Sequence, residues 1–166
     1  MINYSANTAI TLDLSALATS SSFVAGVEST QIDNTTTRYD DALVNVKGII
    51  GHASTAPVVG QLISLYVWGA DTSLVTTAID VLDGTASVET LSHVSVLNSL
   101  RFAGASSVTV ATVALTYFIQ PFSIAALFGG AMPKFWGLYA AHNHAGALGA
   151  SNNVLFSFNG VNYTAT

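Results

Sequence analysis

Apolar and polar positions alternate through much of this chain, the period-2 pattern of strands with one face buried. In "TAITLDL" (8–14), Ile10, Leu12 and Leu14 fall on one face, with Thr11 and Asp13 on the other. "DALVNVKGII" (41–50) repeats this, setting Val44, Val46 and Ile50 against Asn45 and Lys47. In "QLISLYVWG" (61–69), Ile63, Leu65 and Val67 share the inward face, leaving Ser64, Tyr66 and Trp68 opposite. The Gly-bounded, Pro-containing stretch "GHASTAPVVG" between the last two runs predicts a hairpin loop joining them.

The same reading predicts strands over 93–102, 108–119, 134–143, 152–159 and 161–166. A further one falls over 23–33, with a bulge or bend near Gly26. Residues 71–90 are turn-rich and read as a long connection holding one short strand. "SIAALF" (123–128) is the one helical turn, closed by Gly129 and Gly130, which reach positive φ at no steric cost. Phe122, Leu127 and Phe128 would plug one end of the core. Trp136, Leu138 and Ala140 alternate with Phe135, Gly137 and Tyr139, so both faces of that strand should be covered. Strands without intervening helices predict an all-β fold: an antiparallel β-sandwich, jelly-roll-like, forming one domain over 9–166. Residues 1–8, "MINYSANT", are uncharged and too polar for a core. They read as an extended arm free to add a strand to a neighbour's sheet edge, with Asn3 and Tyr4 as contact residues.

Charge sharpens this picture. Only 8% of residues are Asp, Glu, Lys or Arg, against about 25% in ordinary globular domains. A surface so poor in ions is covered by a partner with little desolvation. All nine acids lie at or before Glu89, and the net charge is −5 with four cations, which disfavours nucleic acid as a partner. The run 108–141 is uncharged up to Lys134, but Gln120-Pro121, Gly129-Gly130 and Pro133 break it short of the ~20 apolar residues of a spanning helix. No membrane association is expected. The chain contains no Cys, which excludes disulfides and thiolate metal sites. "MINYSANTAITLDL" lacks the basic and apolar regions of a secretory signal, so assembly in a cytoplasm is the expectation.

Candidate chemistry is sparse. His142 and His144 would project from one side of an extended segment, but a metal needs a third ligand, and His52, His93 or Asp80 could supply it only through folding. The simpler reading is a strand end whose His and Asn side chains satisfy backbone groups. Asp80 and Asp83 lie in "DVLDGT", with Glu89 beyond, but the stretch lacks the alternating oxygen ligands of a calcium loop and reads as an Asp-Gly turn. No nucleophile elbow, metalloprotease helix, phosphate loop or dinucleotide fingerprint is present, so neither catalysis nor a cofactor is expected. Tyr66 and Trp68 are a sugar-stacking platform, a protein interface or the cap of a second layer; core or interface is the favoured reading over sugar, and the two are named as interface candidates.

"PFSIAALFGGAMPKFWGLYAAHN" resembles a family of small structural proteins of tailed bacteriophages, and "FVAGVESTQIDNTTTRYDDALVNVKG" is similar to that family's other shared block. "LYVWG" and "DVLDGT" stand in the same order, so the resemblance spans most of residues 23–144. It implies a virion component that decorates or cements a capsid from its outer surface. Its partners would be the major capsid protein and further copies of itself, as a homo-oligomer such as a trimer. The alternatives are a neck, tail or receptor-binding component of the particle, and a carbohydrate-binding module using Tyr66 and Trp68.

Overall fold

The computed structural model describes residues 1–150 and 153–164. In chain order the strands are β1 (Ile2–Tyr4), β2 (Thr8–Ile10), β3 (Ala25–Glu28), β4 (Ile32–Asp33), β5 (Asp41–Gly51) and β6 (Leu62–Ala70). They continue with β7 (Ser87–Thr90), β8 (Arg101–Ser107), β9 (Ala114–Ser123), β10 (Phe135–His142) and β11 (Asn153–Tyr163). One helical turn, α1 (Ile124–Leu127), joins β9 to β10.

The strands form two antiparallel sheets. The first runs β1-β11-β5-β9, with β2 also on β11; the second runs β7-β3-β10-β6-β8, with β4 also on β10. The pairings are nested: β2 with β11, β3 with β10, β5 with β9, and β6 with β8. The chain is therefore one long hairpin folded back on itself and wrapped across two sheets, which is the jelly-roll order. Among the described residues no helix is long and apolar enough to cross a membrane.

The inward alternation holds where it was read. Val44, Val46, Ile50, Ile63, Leu65, Val67, Trp136, Leu138 and Ala140 are buried in one cluster between the sheets, joined by Phe156 and Phe158. Burying each side chain of Val-to-Phe size contributes roughly 1.5–3 kcal/mol. Phe122, Leu127 and Phe128 pack partly buried against this cluster, at the α1 end. There Ser123 Oγ accepts from the Ala126 amide at 2.9 Å and donates to Asp41 Oδ2 at 2.6 Å. Gly129 and Gly130 follow with φ of 74° and 95°, returning the chain into β10. Pro121 is tolerated in β9 because that strand is an edge of its sheet.

Several boundaries differ from the sequence reading. Residues 51–60 do not close a hairpin: β5 belongs to the first sheet and β6 to the second, so this loop crosses the sandwich. Two strands that both bury one face look alike whether they pair or oppose each other. Residues 93–102 begin with a 3-10 turn over Val94–Ser99, because the His93 side chain accepts from the Ser95 amide and caps it. Strand β8 starts only at Arg101, and 108–113 is a loop before β9. Of 8–14, only Thr8–Ile10 is strand, although Leu12 and Leu14 are buried as expected. The reading of 23–33 as one strand splits into β3 and β4, while Gly26 keeps regular register and makes room for the Tyr139 ring. Gly160 likewise does not break the C-terminal strand, since β11 runs through it under the Tyr39 ring; the reading of 165–166 as strand lies outside the described residues.

The arm is also corrected. Residues 2–4 pair with β11 of the same chain, Ile2 opposite Tyr163 and Tyr4 opposite Val161. The terminal ammonium donates to the Thr164 carbonyl at 2.7 Å, and the Ser5 amide to the Gly160 carbonyl at 2.8 Å. An unpaired edge lay within reach in the same chain, so the donated strand is satisfied internally.

Two sheet faces and a buried histidine cluster as candidate functional sites

The outer face of the second sheet is roofed. Residues 71–100 fold back over it, and Leu74, Leu82, Leu91 and Leu100 bury Trp68, Tyr139 and Ala141 in a second apolar cluster. Two side chains hold the roof down. Glu28, fully buried, accepts the amides of Asp83 and Gly84, one on each carboxylate oxygen, at 3.0 Å. Gln31 accepts the Leu74 amide at 2.8 Å and donates to Ser73 Oγ at 2.9 Å. Burial pushes the Glu28 carboxyl up to about 7, against the opposing pull of the two amides.

This corrects the expectation for Trp68. Its side chain is 0% exposed and lies over Gly137, where an added Cβ would sit 2.4 Å from the indole. It cannot present a contact surface; of the three readings, the second layer is the one realised. Tyr66 is half-buried, packed edge-on to Phe102 with ring centroids 5.6 Å apart. The aromatic that reaches solvent there is Phe102, at 56% exposure.

The outer face of the first sheet has no such roof among the described residues. Lys47 of β5 lies between Leu155 of β11 and Phe118 of β9 in cross-strand register. Leu155 and Phe118 are 66% and 63% exposed, and Ile49, two residues along, is 52% exposed. By the two-residue period of β11, Tyr163, which is exposed, shares the face of Leu155, while Val161 on the same side is buried. Their partners on β1, Tyr4 and Ile2, extend it to the sheet edge. Tyr4 is exposed; Asn3, opposite Asn162, is exposed too but alternates to the other side. Lys47 makes no ion pair among the described residues. The arrangement is an apolar row around one unpaired ammonium.

The third feature joins histidines far apart in sequence. His142 ends β10, His144 lies two residues on, and His52 directly follows β5; all three are buried. His52 Nε2 is 2.8 Å from His144 Nδ1, and His144 Nε2 is 3.5 Å from the Tyr117 hydroxyl. His142 Nε2 is 3.0 Å from the Leu17 carbonyl, while His142 Nδ1 accepts the His144 amide at 3.2 Å. Burial holds His144 down at about 3 and lowers His142 as well, with neighbouring imidazoles adding to both effects. The ring nitrogens are spent on one another and on the backbone. Among the described residues no group of three or more His, Cys, Asp or Glu is arranged to hold a metal ion.

The other candidates stand apart. His93 is exposed at its 3-10 cap. Asp80 accepts the Ser92 amide at 2.7 Å, Asp83 accepts the Thr85 amide at 2.9 Å, and Glu89 accepts from Ser87 Oγ at 2.6 Å. Sequence reasoning missed Glu28 as the anchor of the roof, and it named His52 beside His93 and Asp80 without distinguishing which of them folding brings to His144. The only signal for Glu28 was an acid within an otherwise apolar strand. Nothing singled out His52, because 92 positions separate it from His144.

Fold and faces define an all-β jelly-roll sandwich with one roofed and one bare outer face. Comparison with protein-family models, curated proteins and solved structures finds no match to this chain.

Proposed function

We propose that this protein is a non-enzymatic structural component of a tailed-phage virion, a decoration protein that cements the capsid by bridging neighbouring subunits. The observation that carries this reading is the bare face of the first sheet. Leu155, Phe118 and Ile49 are exposed together, on three adjacent paired strands, in a chain with few charges to desolvate. Contiguous exposed apolar surface on a folded domain is characteristic of interaction sites. Lys47 at its centre argues against a two-fold pairing of this face with itself, since two ammonium groups would meet. An apolar surface offering a carboxylate opposite Lys47 fits better, which favours a different protein as the partner on this face. Repetition around a symmetric shell lets weak contacts of this kind add up.

Particle fractionation tests the role. The protein should accompany tailless heads, and its presence with isolated tails alone would reject the capsid assignment. Phe118→Asp or Leu155→Asp should strip it from heads while the purified domain stays folded. Occupancy unaffected by both would reject this face as the contact.

A further inference from the structure

The three buried imidazoles make a chain of hydrogen bonds that is complete with every ring neutral. His52 Nδ1 faces the Val113 carbonyl at 3.3 Å and so donates to it. That leaves His52 Nε2 as the acceptor for His144 Nδ1–H, and His144 Nε2 as the acceptor for the Tyr117 hydroxyl. His142 donates from Nε2 to the Leu17 carbonyl and accepts the His144 amide on Nδ1. A proton added to His142 Nδ1 would meet the His144 N–H head-on. One added to His52 Nε2 would meet the His144 Nδ1–H. Only His144 Nε2 faces a group able to turn and accept, the Tyr117 hydroxyl, and that proton would still leave a buried cation.

Among the described residues nothing nearby neutralises such a charge. The titratable groups facing the rings are the rings themselves, from the ends of β5 and β10, and Tyr117 from β9. Residues 14–20 contribute the Leu17 carbonyl, and 108–113 the Val113 carbonyl. Burial pushes the Tyr117 hydroxyl up to about 12, so it supplies no phenolate, and no carboxylate is among the groups that act on His142 or His144.

The same residues tie four segments together at the end of the sandwich opposite α1. The Leu17 carbonyl accepts from both His142 Nε2 and the Leu148 amide. The Ser20 amide donates to the His142 carbonyl at 2.8 Å, and Thr19 Oγ1 to the His144 carbonyl at 2.6 Å. The His52 amide donates to the Val113 carbonyl at 2.8 Å, and the Ala53 amide to the Ala147 carbonyl at 3.1 Å. The rings thus sit on the seam between the sheets, with His52 and Tyr117 from the first and His142 from the second.

We propose that His142 and His144, with His52 bonded to the second, form an acid-operated latch, which holds this end of the jelly roll closed while the two rings are neutral and releases it on protonation. Release exposes these two rings to water, where they take up protons near their ordinary value of 6.5. Proton uptake then drives opening, tenfold per pH unit for each proton bound. This holds whatever the protein's partner on the first sheet.

Amide hydrogen exchange on the intact protein, from pH 7.5 to 4.5 and corrected for the exchange of unstructured peptide, tests the latch. The amides of Ser20, His52, His144 and Leu148 should lose protection by tenfold or more per pH unit below about pH 6. The amides of Asn34 and Gly130, at the α1 end and bonded to the Lys134 and Ala125 carbonyls, should hold. His144→Gln and His142→Gln each remove one ionisable ring and should each make the dependence shallower, by up to tenfold per pH unit. Parallel loss at both ends would mean global acid unfolding and overturn the latch. Protection retained at the histidine end to pH 4.5, or an unchanged slope in both variants, would overturn it as well. Should either variant fail to fold, the wild-type comparison of the two ends still decides.

Discussion

The two outer faces of this sandwich start from the same alternation and end differently. On β6, Tyr66 and Trp68 stand opposite the inward Ile63, Leu65 and Val67, just as Lys47 and Ile49 on β5 stand opposite Val46 and Ile50. Yet Trp68 is fully buried, whereas Ile49 and its neighbours Phe118 and Leu155 are more than half exposed. The cause is the 71–100 connection, which supplies four leucines over the second sheet and has no counterpart over the first among the described residues. An outward aromatic is thus core or contact surface according to what the rest of the chain lays over it.

The largest expected effect comes from emptying the roofed face. Trp68→Ala removes the biggest side chain of the second cluster and should cost about 3–5 kcal/mol, read as a shift in denaturant midpoint. Trp68→Phe should cost clearly less, since the indole Nε1 is buried without a partner among the described residues and phenylalanine brings no such orphan. Gly137→Ala drives a methyl into the indole and should cost about 1–3 kcal/mol. If Trp68→Ala were neutral, the contrast between the faces would fail.

The next effect concerns how the roof is held and depends on pH. Glu28 has its folded value raised from 4.5 to about 7. Between those values the folded chain keeps a proton that the unfolded chain has released. Its contribution to stability is therefore complete below 4.5 and is lost as pH rises through 7. His142 and His144 act oppositely: their folded values are lowered from 6.5, so their contribution is complete above 6.5 and is lost as pH falls. Between pH 4.5 and 6.5 the two histidines outweigh Glu28, so stability should rise with pH and level off near neutrality, with each unbalanced proton changing it by about 1.4 kcal/mol per pH unit. Denaturation midpoints between pH 4.5 and 8 measure this. Glu28→Gln should steepen the rise below pH 6.5, because it removes the opposing proton. An acid limb no steeper in Glu28→Gln would show that this carboxyl does not oppose the histidines.

The smallest effect belongs to the bare face. Phe118→Ser or Leu155→Ser should change the stability of the isolated domain by less than about 0.5 kcal/mol, since these side chains are already in water. Thermal or denaturant unfolding of the two variants checks it. A loss near that of Trp68→Ala would mean that this face is covered after all.

How much of this was legible follows from the range of each signal. The periods of 41–50, 61–69 and 134–143 mark their buried positions, and "SIAALF" with its two glycines marks α1, because these depend on neighbours within a few residues. The boundary of β8 was missed because the His93 cap competes locally with an apolar run that looks like strand. The hairpin at 51–60 was missed because alternation orients a strand toward a core without saying from which side. The histidine cluster was half-seen. His142 and His144 announced themselves by spacing, while His52 meets them only through the crossing of the two sheets.

By itself, then, the sequence determined an all-β sandwich, the inward face of its long strands and the position of the α-helical turn α1. Those follow from side-chain period, φ preferences and burial of apolar area, all local properties of the chain. Only the tertiary structure decided that β1 is retained by its own sheet, that Trp68 is roofed and Phe118 is not, and that His52 closes on His144. Each of these depends on which distant segment covers or pairs with a residue, and that is set by the free energy of the whole packed arrangement rather than by any stretch within it.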